Sequence, residues 1–354
     1  MDLCNDPRPT SSPPHPPAAP SLSNPAAPPS ELPAPPALAA LIDHPSGYLA
    51  LSPRNLRFTV PERPGFIAYR EHGRTWFLFG GVHAPQPERG ALLDRFLQAA
   101  GNKRRGVIGV QVRLDQAALF RDRGFTTNCF GQSYGLRLDR FKLSGTARMK
   151  LRNKIKRARA LGLRVCELGR ELPRDAAMFA RLGVLSDGWL RKKGKKELDF
   201  MIGELGGPEE ALRRVFVALD PQDRVRGFIT YVPAYGERPG YLHDLTRRAE
   251  DAPPGTMELI NAEALARLAT EGATYLHFGF TPFVFDADEP AGHSPVVRAV
   301  FRLLARYGRF VYPAQSQVDY KRKWGPEIVE PELLVCRPLS LRGLIDLLLV
   351  TRSL

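Results

Sequence analysis

Residues 241–282 read YLHDLTRRAEDAPPGTMELINAEALARLATEGATYLHFGFTP, and the order of elements within them decides the fold class. Tyr241–Thr246 is a strand, rich in aromatic and β-branched residues. Asp251-Ala252-Pro253-Pro254 interrupts it. Gly255 and Thr256 then open a helix that runs to about Thr270. Thr274–Phe278 is a short apolar run that reads as a buried strand. Strand, helix, strand is the signature of an α/β unit.

The same order extends outward. Upstream, a helix over about 174–191 precedes strands at Arg214–Leu219 and Arg224–Val232, and downstream Val296–Tyr307 is a further helix. The first half reads alike. Phe58–Tyr69 alternates, turns at Glu71-His72-Gly73 and meets a strand at Thr75–Phe79. Pro87–Ala100 has helical spacing at Leu92, Leu93, Phe96 and Leu97. Gly106–Val112 is a strand, Leu114–Arg123 a helix stopped by Gly124, and Ser133–Leu138 a strand. Two α/β units of like order account for the length of 354 residues.

Composition bounds what surrounds them. Thirteen of the 33 prolines lie in the first 36 residues, which carry a net charge of −2. Such a Pro/Ala-rich segment is expected to be a disordered arm. The rest of the chain is +16, which points to a polyanionic partner. Cys4, Cys129, Cys166 and Cys336 form no CxxC pair, and the seven histidines form no HExxH, so no metal is expected. No run is long and apolar enough to span a bilayer, and no secretory leader is expected. The expected location is the cytoplasm, with peripheral contact at the inner membrane surface as an alternative. For 341–354 (LRGLIDLLLVTRSL), an amphipathic helix docked on the body is the plain reading. A shallow membrane foot is the sharper one.

The join between the halves is the segment 142–164, KLSGTARMKLRNKIKRARALGLR, with nine Lys/Arg and no acid. Leu151, Ile155, Ala158 and Leu161 recur at helical spacing, giving one apolar stripe on a basic helix. Such a helix packs on the body and offers Arg148, Lys150, Arg152, Lys154 and Arg157 to a polyanion. A second run, RKKGKK at 191–196, adds Lys192 and Lys193. A third is Lys321-Arg322-Lys323.

Several motifs taken together resemble one family. They are Arg148-Met149-Lys150-Leu151-Arg152-Asn153, His243-Asp244-Leu245-Thr246-Arg247-Arg248, Pro254-Gly255-Thr256-Met257-Glu258 and Phe278-Gly279-Phe280-Thr281-Pro282. A fifth is Tyr320-Lys321-Arg322-Lys323-Trp324, followed by Pro326 and Glu330-Pro331. The series is similar to the cytosolic catalytic domain of phosphatidylglycerol lysyltransferases over about residues 45–338. Leu119–Phe125 also resembles the helix-to-strand corner of GNAT acyltransferases. The resemblance implies two tandem GNAT-like domains with mixed sheets: arm 1–36, N-terminal domain 37–141, basic connecting helix 142–165, catalytic domain 166–338 and amphipathic helix 339–354. It implies an aminoacyltransferase that uses aminoacyl-tRNA as co-substrate, with no cofactor and no DNA partner. The acceptor would be a hydroxyl-bearing small molecule or the headgroup of an anionic lipid. Stand-alone members of the family include a seryl-tRNA-dependent enzyme acting on a hydroxylamine in azoxy-antibiotic biosynthesis, and this chain is expected to be of that stand-alone kind.

An aminoacyl-tRNA is an activated ester, so transfer needs positioning and charge rather than a covalent intermediate. Asp244 ends an apolar strand, where it could orient an α-ammonium or take the acceptor's proton; a turn carboxylate paired with Arg247 or Arg248 is the alternative. Glu258 in the first turn of a helix fits catalysis or plain helix stabilisation. The backbone N–H groups of Gly255 and Thr256 could hold a phosphate, or Thr256 could be an ordinary N-cap. Arg247, Arg248 and Lys323 are candidate phosphate or carboxylate binders. The resemblance brings Lys321 and Lys323 near the donor and adds Lys321 to the catalytic set. Gly279 and Thr281 follow a buried strand, where glycine allows close approach of substrate. Trp189 could stack a base or sit in the core, and His243 and His277 read first as core histidines. Two other functions stay open. A CoA-dependent N-acyltransferase lacks its RxxGxG/A pyrophosphate loop here. A non-catalytic tRNA- or membrane-binding protein would keep the fold without turnover.

Overall fold

A computed structural model describes residues 37–193, 200, 203, 205, 210–285, 290–307, 314–337 and 341–351; the arm at 1–36 and residues 194–196 of the second basic run lie outside these. In chain order the first half comprises β1 (Leu56–Val60), β2 (Arg63–His72), β3 (Thr75–His83), α1 (Gln86–Asn102), β4 (Gly106–Arg113), α2 (Ala117–Arg121) and β5 (Thr126–Arg137). The second comprises α3 (Met149–Ala160), β6 (Arg164–Glu167), α4 (Ala176–Lys193), β7 (Arg214–Leu219), β8 (Val225–Ala234), β9 (Gly240–Arg248), α5 (Thr256–Thr270), β10 (Tyr275–Pro282), α6 (Pro295–Tyr307), α7 (Ala314–Arg322), β11 (Ile328–Cys336) and α8 (Leu341–Val350).

The strands form one mixed sheet in the order β1-β2-β3-β4-β11-β5-β10-β9-β8-β7-β6. In each half, one strand–helix–strand unit makes a parallel pair: β3 with β4 and β9 with β10. The other pairings are antiparallel. Both faces of β7 are covered, and it is apolar from Val215 to Leu219. On β7, Val215, Val217 and Leu219 pack with Met178 and Leu182 of α4, while Phe216 and Ala218 join the core under α5. In the first half α1 and α2 bury Leu92, Phe96 and Phe120 on β2–β4.

Several sequence expectations are corrected. The run 58–69 is two antiparallel strands, because Pro61-Glu62 turns the chain. β5 begins at Thr126, seven residues before the expected start. β6, α7 and β11 have no counterpart among the expected elements. Pro331 argues against a central strand, yet β11 carries it opposite Gln132, beside a bulge at Glu332/Leu333 that absorbs the lost ladder position. The stripe on α3 ends early: Leu151, Ile155 and Ala158 are buried, but Leu161 is 50% exposed. The helix stops at Ala160 and Gly162, at φ +77°, turns the chain so that Leu163 enters the core instead.

Candidate active site

The parallel pairing of β9 with β10 lasts only from Tyr275↔Gly240 to His277↔Leu242. Beyond it the two strands part. β10 bulges between His277 and Gly279, and Gly279 sits at φ +69°. A Cβ there would stand 3.1 Å from Leu242 Cδ1, in a backbone region that side chains rarely adopt. The opening is bordered by Asp244–Arg248 on one strand and Gly279–Pro282 on the other.

Lys321, near the end of α7, closes one side of it. Its Nζ donates to Gly279 O at 2.8 Å, Phe280 O at 3.0 Å and Thr281 Oγ1 at 2.7 Å. The ammonium's three protons are therefore directed at β10. Burial pulls its pKa down to about 7, with the charge of Glu332 pushing back. Lys323, two residues on, donates to Glu258 Oε1 at 2.7 Å, and Lys154 of α3 reaches the same oxygen at 3.4 Å. Burial pushes the Glu258 carboxyl up, but the hydrogen bond and charge of Lys323, with Lys154 behind it, outweigh this and hold it below its ordinary value. Glu258 thus ties the basic helix to α5 and to the segment after α7.

Asp244 lies on the other side. Its carboxylate is paired with Arg213 and accepts the Gly203 N–H at 2.9 Å. Arg213 also donates to Thr230 Oγ1 at 3.1 Å, which accepts the Leu245 N–H at 3.0 Å. The partner of Asp244 is therefore Arg213, not Arg247 or Arg248. Arg247 is buried: it donates to Ser186 Oγ at 3.0 Å, and its guanidinium lies 4.7 Å from the centroid of the Trp189 ring. Arg248 is exposed at the strand end.

Gly255 is the N-cap of α5, at φ +94°, and Thr256 is the first helical residue, its hydroxyl donating to Pro253 O at 2.7 Å. Thr256 is thus not an N-cap. What approaches Gly255 is α3: the Lys154 carbonyl would stand 2.3 Å from a Cβ at this position. His243 donates to or accepts from Thr246 Oγ1 at 2.8 Å, and burial, then Lys321, draws its pKa down to about 3. His277 is bonded to Arg238 O at 2.9 Å. Both are neutral; His277 is buried and His243 is half-buried.

The basic residues divide into two groups. Arg148 is a bridge, donating to Trp324 O and Lys142 O, and Arg152 donates to Gly145 O at 2.6 Å. Lys192 is paired with Glu250; nothing is described of the Lys193 side chain. Lys150, Lys156 and Arg157 are exposed and have no ion pair among the described residues. No group of metal-binding type exists among the described residues. Sequence reasoning missed Arg213 and Glu332. Arg213 carries no motif at all, whereas an acid entering the apolar run Leu333–Cys336 was a usable signal.

Two successive strand–helix–strand units, each with a parallel pair that parts beyond a bulge, define a tandem GNAT-type acyltransferase fold. Residues 37–336 match the family model described as phosphatidylglycerol lysyltransferase, C-terminal, and the chain belongs to this family. It is 29% identical over 229 residues to the lysylphosphatidylglycerol biosynthesis bifunctional protein LysX of Mycobacterium tuberculosis, and 28% over 216 residues to LysX of Nocardia farcinica. These alignments cover 62% and 59% of this chain but only 19% of each relative, so the chain spans about a fifth of the curated relatives it matches. Among solved structures, L-PGS from Bacillus licheniformis superposes with a TM-score of 0.73 at 21% identity, covering 88% of this chain and 94% of that one. The C-terminal domain of a putative lysylphosphatidylglycerol synthetase from Agrobacterium fabrum gives 0.74 at 19% identity, covering 90% and 96%. At such identities these two likenesses establish the fold.

Proposed function

We propose that this protein moves an aminoacyl group from aminoacyl-tRNA to a hydroxyl-type acceptor, without a covalent enzyme intermediate. The observation that carries the reading is the Glu258 junction. It fastens α3, with its exposed cations Lys150, Lys156 and Arg157, to the helix that opens beside the β9–β10 splay. A polyanion lying along α3 would thereby deliver one end to that opening. In the step itself the acceptor oxygen attacks the ester carbonyl carbon. The new acyl–oxygen bond forms, the bond to the ribose oxygen breaks, and the acceptor's proton passes to that ribose oxygen.

Within this reading Asp244, Glu258 and Lys321 form the transfer site. Arg247, Arg248, Gly255, Thr256, Gly279, Thr281 and Lys323 shape the substrate's surroundings. Arg148, Lys150, Arg152, Lys154, Arg157, Lys192 and Lys193 serve tRNA binding, chiefly through the exposed ones. The domain division at 141 and 166 belongs to the same proposal. The acceptor is a small metabolite, such as a hydroxylamine, or phosphatidylglycerol. No helix among the described residues is long and apolar enough to cross a membrane. Peripheral contact is supported by α6, where Val296 and Leu303 are 72% and 60% exposed beside Arg302 and Arg306, and by Ile345 and Leu349 on α8. The lack of an RxxGxG/A pyrophosphate loop in the sequence supports tRNA rather than CoA as donor. Offering acetyl-CoA and charged tRNA in parallel tests the choice. Consumption of the tRNA ester alone is expected, and consumption of the thioester would contradict it.

A further inference from the structure

The β9–β10 opening leads to a compartment that the transfer groups leave unused. His243 is the first residue of β9 beyond the parallel pairing, and its ring heads an aromatic cluster. It stacks on Tyr231 of β8 with 5.4 Å between centroids and meets Phe278 and Tyr320 edge-on, each at 5.9 Å. Trp324, just after α7, lies 6.4 Å from Tyr320 and 6.3 Å from Phe278. Asn261 of α5 joins through Tyr231, whose hydroxyl donates to Asn261 Oδ1 at 2.6 Å.

The polar atoms of this compartment are not satisfied. Asn261 Nδ2, the Tyr320 hydroxyl and Trp324 Nε1 have no hydrogen-bond partner among the described residues. Asn261 and Trp324 are fully buried, whereas His243 and Tyr320 are half-buried at the opening. Trp324 acts on the Tyr320 hydroxyl and Tyr320 on that of Tyr231, so the atoms share one place. Native interiors rarely leave such groups unpaired, and three together beside an opening mark a compartment that a ligand completes.

The chemistry of the set limits the ligand. The Asn261 amide nitrogen and the Trp324 indole nitrogen can only donate. Burial, reinforced by the charge of Glu258, pushes the Tyr320 phenol well above its ordinary value, and burial does the same to Tyr231, so both keep their protons. Glu258 is already held by Lys323 and Lys154, and Asp244 by Arg213. An ammonium, itself only a donor, would set N–H against N–H here, and an apolar chain would leave the donors unpaired. A hydroxyl or carboxamide oxygen, with two lone pairs, can satisfy two of them at once.

We infer that the compartment formed by Asn261, Tyr320 and Trp324 selects the amino acid that is transferred, admitting a neutral side chain that ends in a hydroxyl or carboxamide oxygen and excluding lysine. The inference rests on the function proposed above: with tRNA along α3 and its ester at the splay, the amino acid side chain is the part of the donor left to enter. It sets this chain apart from the relatives named for lysine.

The test uses the full chain without tRNA, its tryptophans labelled with ¹⁵N at the indole. The probes are 3′-amino-3′-deoxyadenosine acylated with serine, glutamine, leucine or lysine, which join the donor's terminal nucleoside to the amino acid through a stable amide. The resonance missing from Trp324→Phe is that of Trp324. A saturable shift of this resonance by the seryl or glutaminyl probe is expected, with affinity at least about tenfold above the leucyl and lysyl probes, ~1.4 kcal/mol. Saturation by the seryl probe alone identifies a hydroxyl pocket, and by the glutaminyl probe alone a carboxamide pocket. Asn261→Leu should bring that ratio close to unity. Tyr320→Phe, which deletes only a hydroxyl, should lower it too if the leucine variant does not fold. Asn261→Asp should raise affinity for the lysyl probe. Tightest binding of the lysyl or leucyl probe to the native chain overturns the inference. So does a Trp324 resonance that no probe moves, or a ratio unchanged in the variants. Failure of the proposed function reads differently: the neutral probe would bind as expected while tRNA charged with the same amino acid gave up no label.

Discussion

Asp244 and Arg213 form a sealed ion pair: their side chains are 3% and 5% exposed, and Thr230 and the Gly203 N–H complete the arrangement. A buried pair of this kind is costly to break, because the surviving charge is left without a counterion. Asp244→Asn is therefore expected to lower stability by about 3–5 kcal/mol as well as to abolish transfer. Replacing both residues, Arg213→Met with Asp244→Leu, should restore much of the melting temperature and none of the transfer. If the double variant regains transfer as well, Asp244 is purely structural.

Lys321 and Glu332 give stability opposite dependences on pH. The folded pKa of Glu332 is raised from 4.5 to about 8, so the folded state binds the extra proton between these values. Its contribution is fully present below 4.5 and is lost as pH rises through 8. Lys321 is lowered from 10.5 to about 7, so the unfolded state binds the extra proton over that range and stability rises from pH 7 to 10.5. Glu332→Gln should hold its melting temperature between pH 5 and 8 where the native protein declines. Lys321→Met should remove the gain above pH 7. Melting curves across pH 4 to 10 check both, and profiles that match the native protein would place these groups in solvent.

Gly255→Ala should be among the most damaging single-methyl changes. The added Cβ meets the Lys154 carbonyl at 2.3 Å, and the backbone is left-handed. The packing of α3 on α5 must open, taking the Glu258–Lys154 pair with it. Loss of tRNA affinity together with early melting is expected. Gly101→Ala, where a Cβ meets nothing within 4 Å, is the control that should leave both unchanged.

Reversal of exposed cations on α3 should weaken tRNA binding without unfolding. Lys150→Glu with Arg157→Glu is expected to flatten the slope of log affinity against log salt by roughly 0.7–0.9 for each phosphate no longer neutralised. Filter binding from 50 to 300 mM salt provides the slopes. An unaltered slope would take α3 out of the interface.

Much of this architecture was legible in the chain. α5 matches its sequence reading to the residue, because Pro253-Pro254-Gly255 and Glu271-Gly272 bracket a clear apolar period. β7 was equally plain, being apolar from Val215 onward. What escaped was set by tertiary context. Pro331 disguised β11, whose bulge is made tolerable by strands on both sides. The cations of the basic segment could be counted, but which of them are spent on Trp324 O, Glu258 and Glu263 depends on elements far away in sequence. The partner of Asp244 was missed for the same reason: Arg213 lies 31 residues upstream and reaches it only across β8.

Single-turnover transfer tests the central claim most directly. The full chain is mixed with a panel of tRNAs charged with labelled amino acids, in the presence of either phosphatidylglycerol vesicles or a soluble hydroxyl acceptor, and quenched at intervals. The account predicts that label leaves one charged tRNA and appears on the acceptor as an ester, with none retained on the protein at any time. Label trapped on the protein, or no movement from any charged tRNA while acetyl-CoA is consumed, would contradict it.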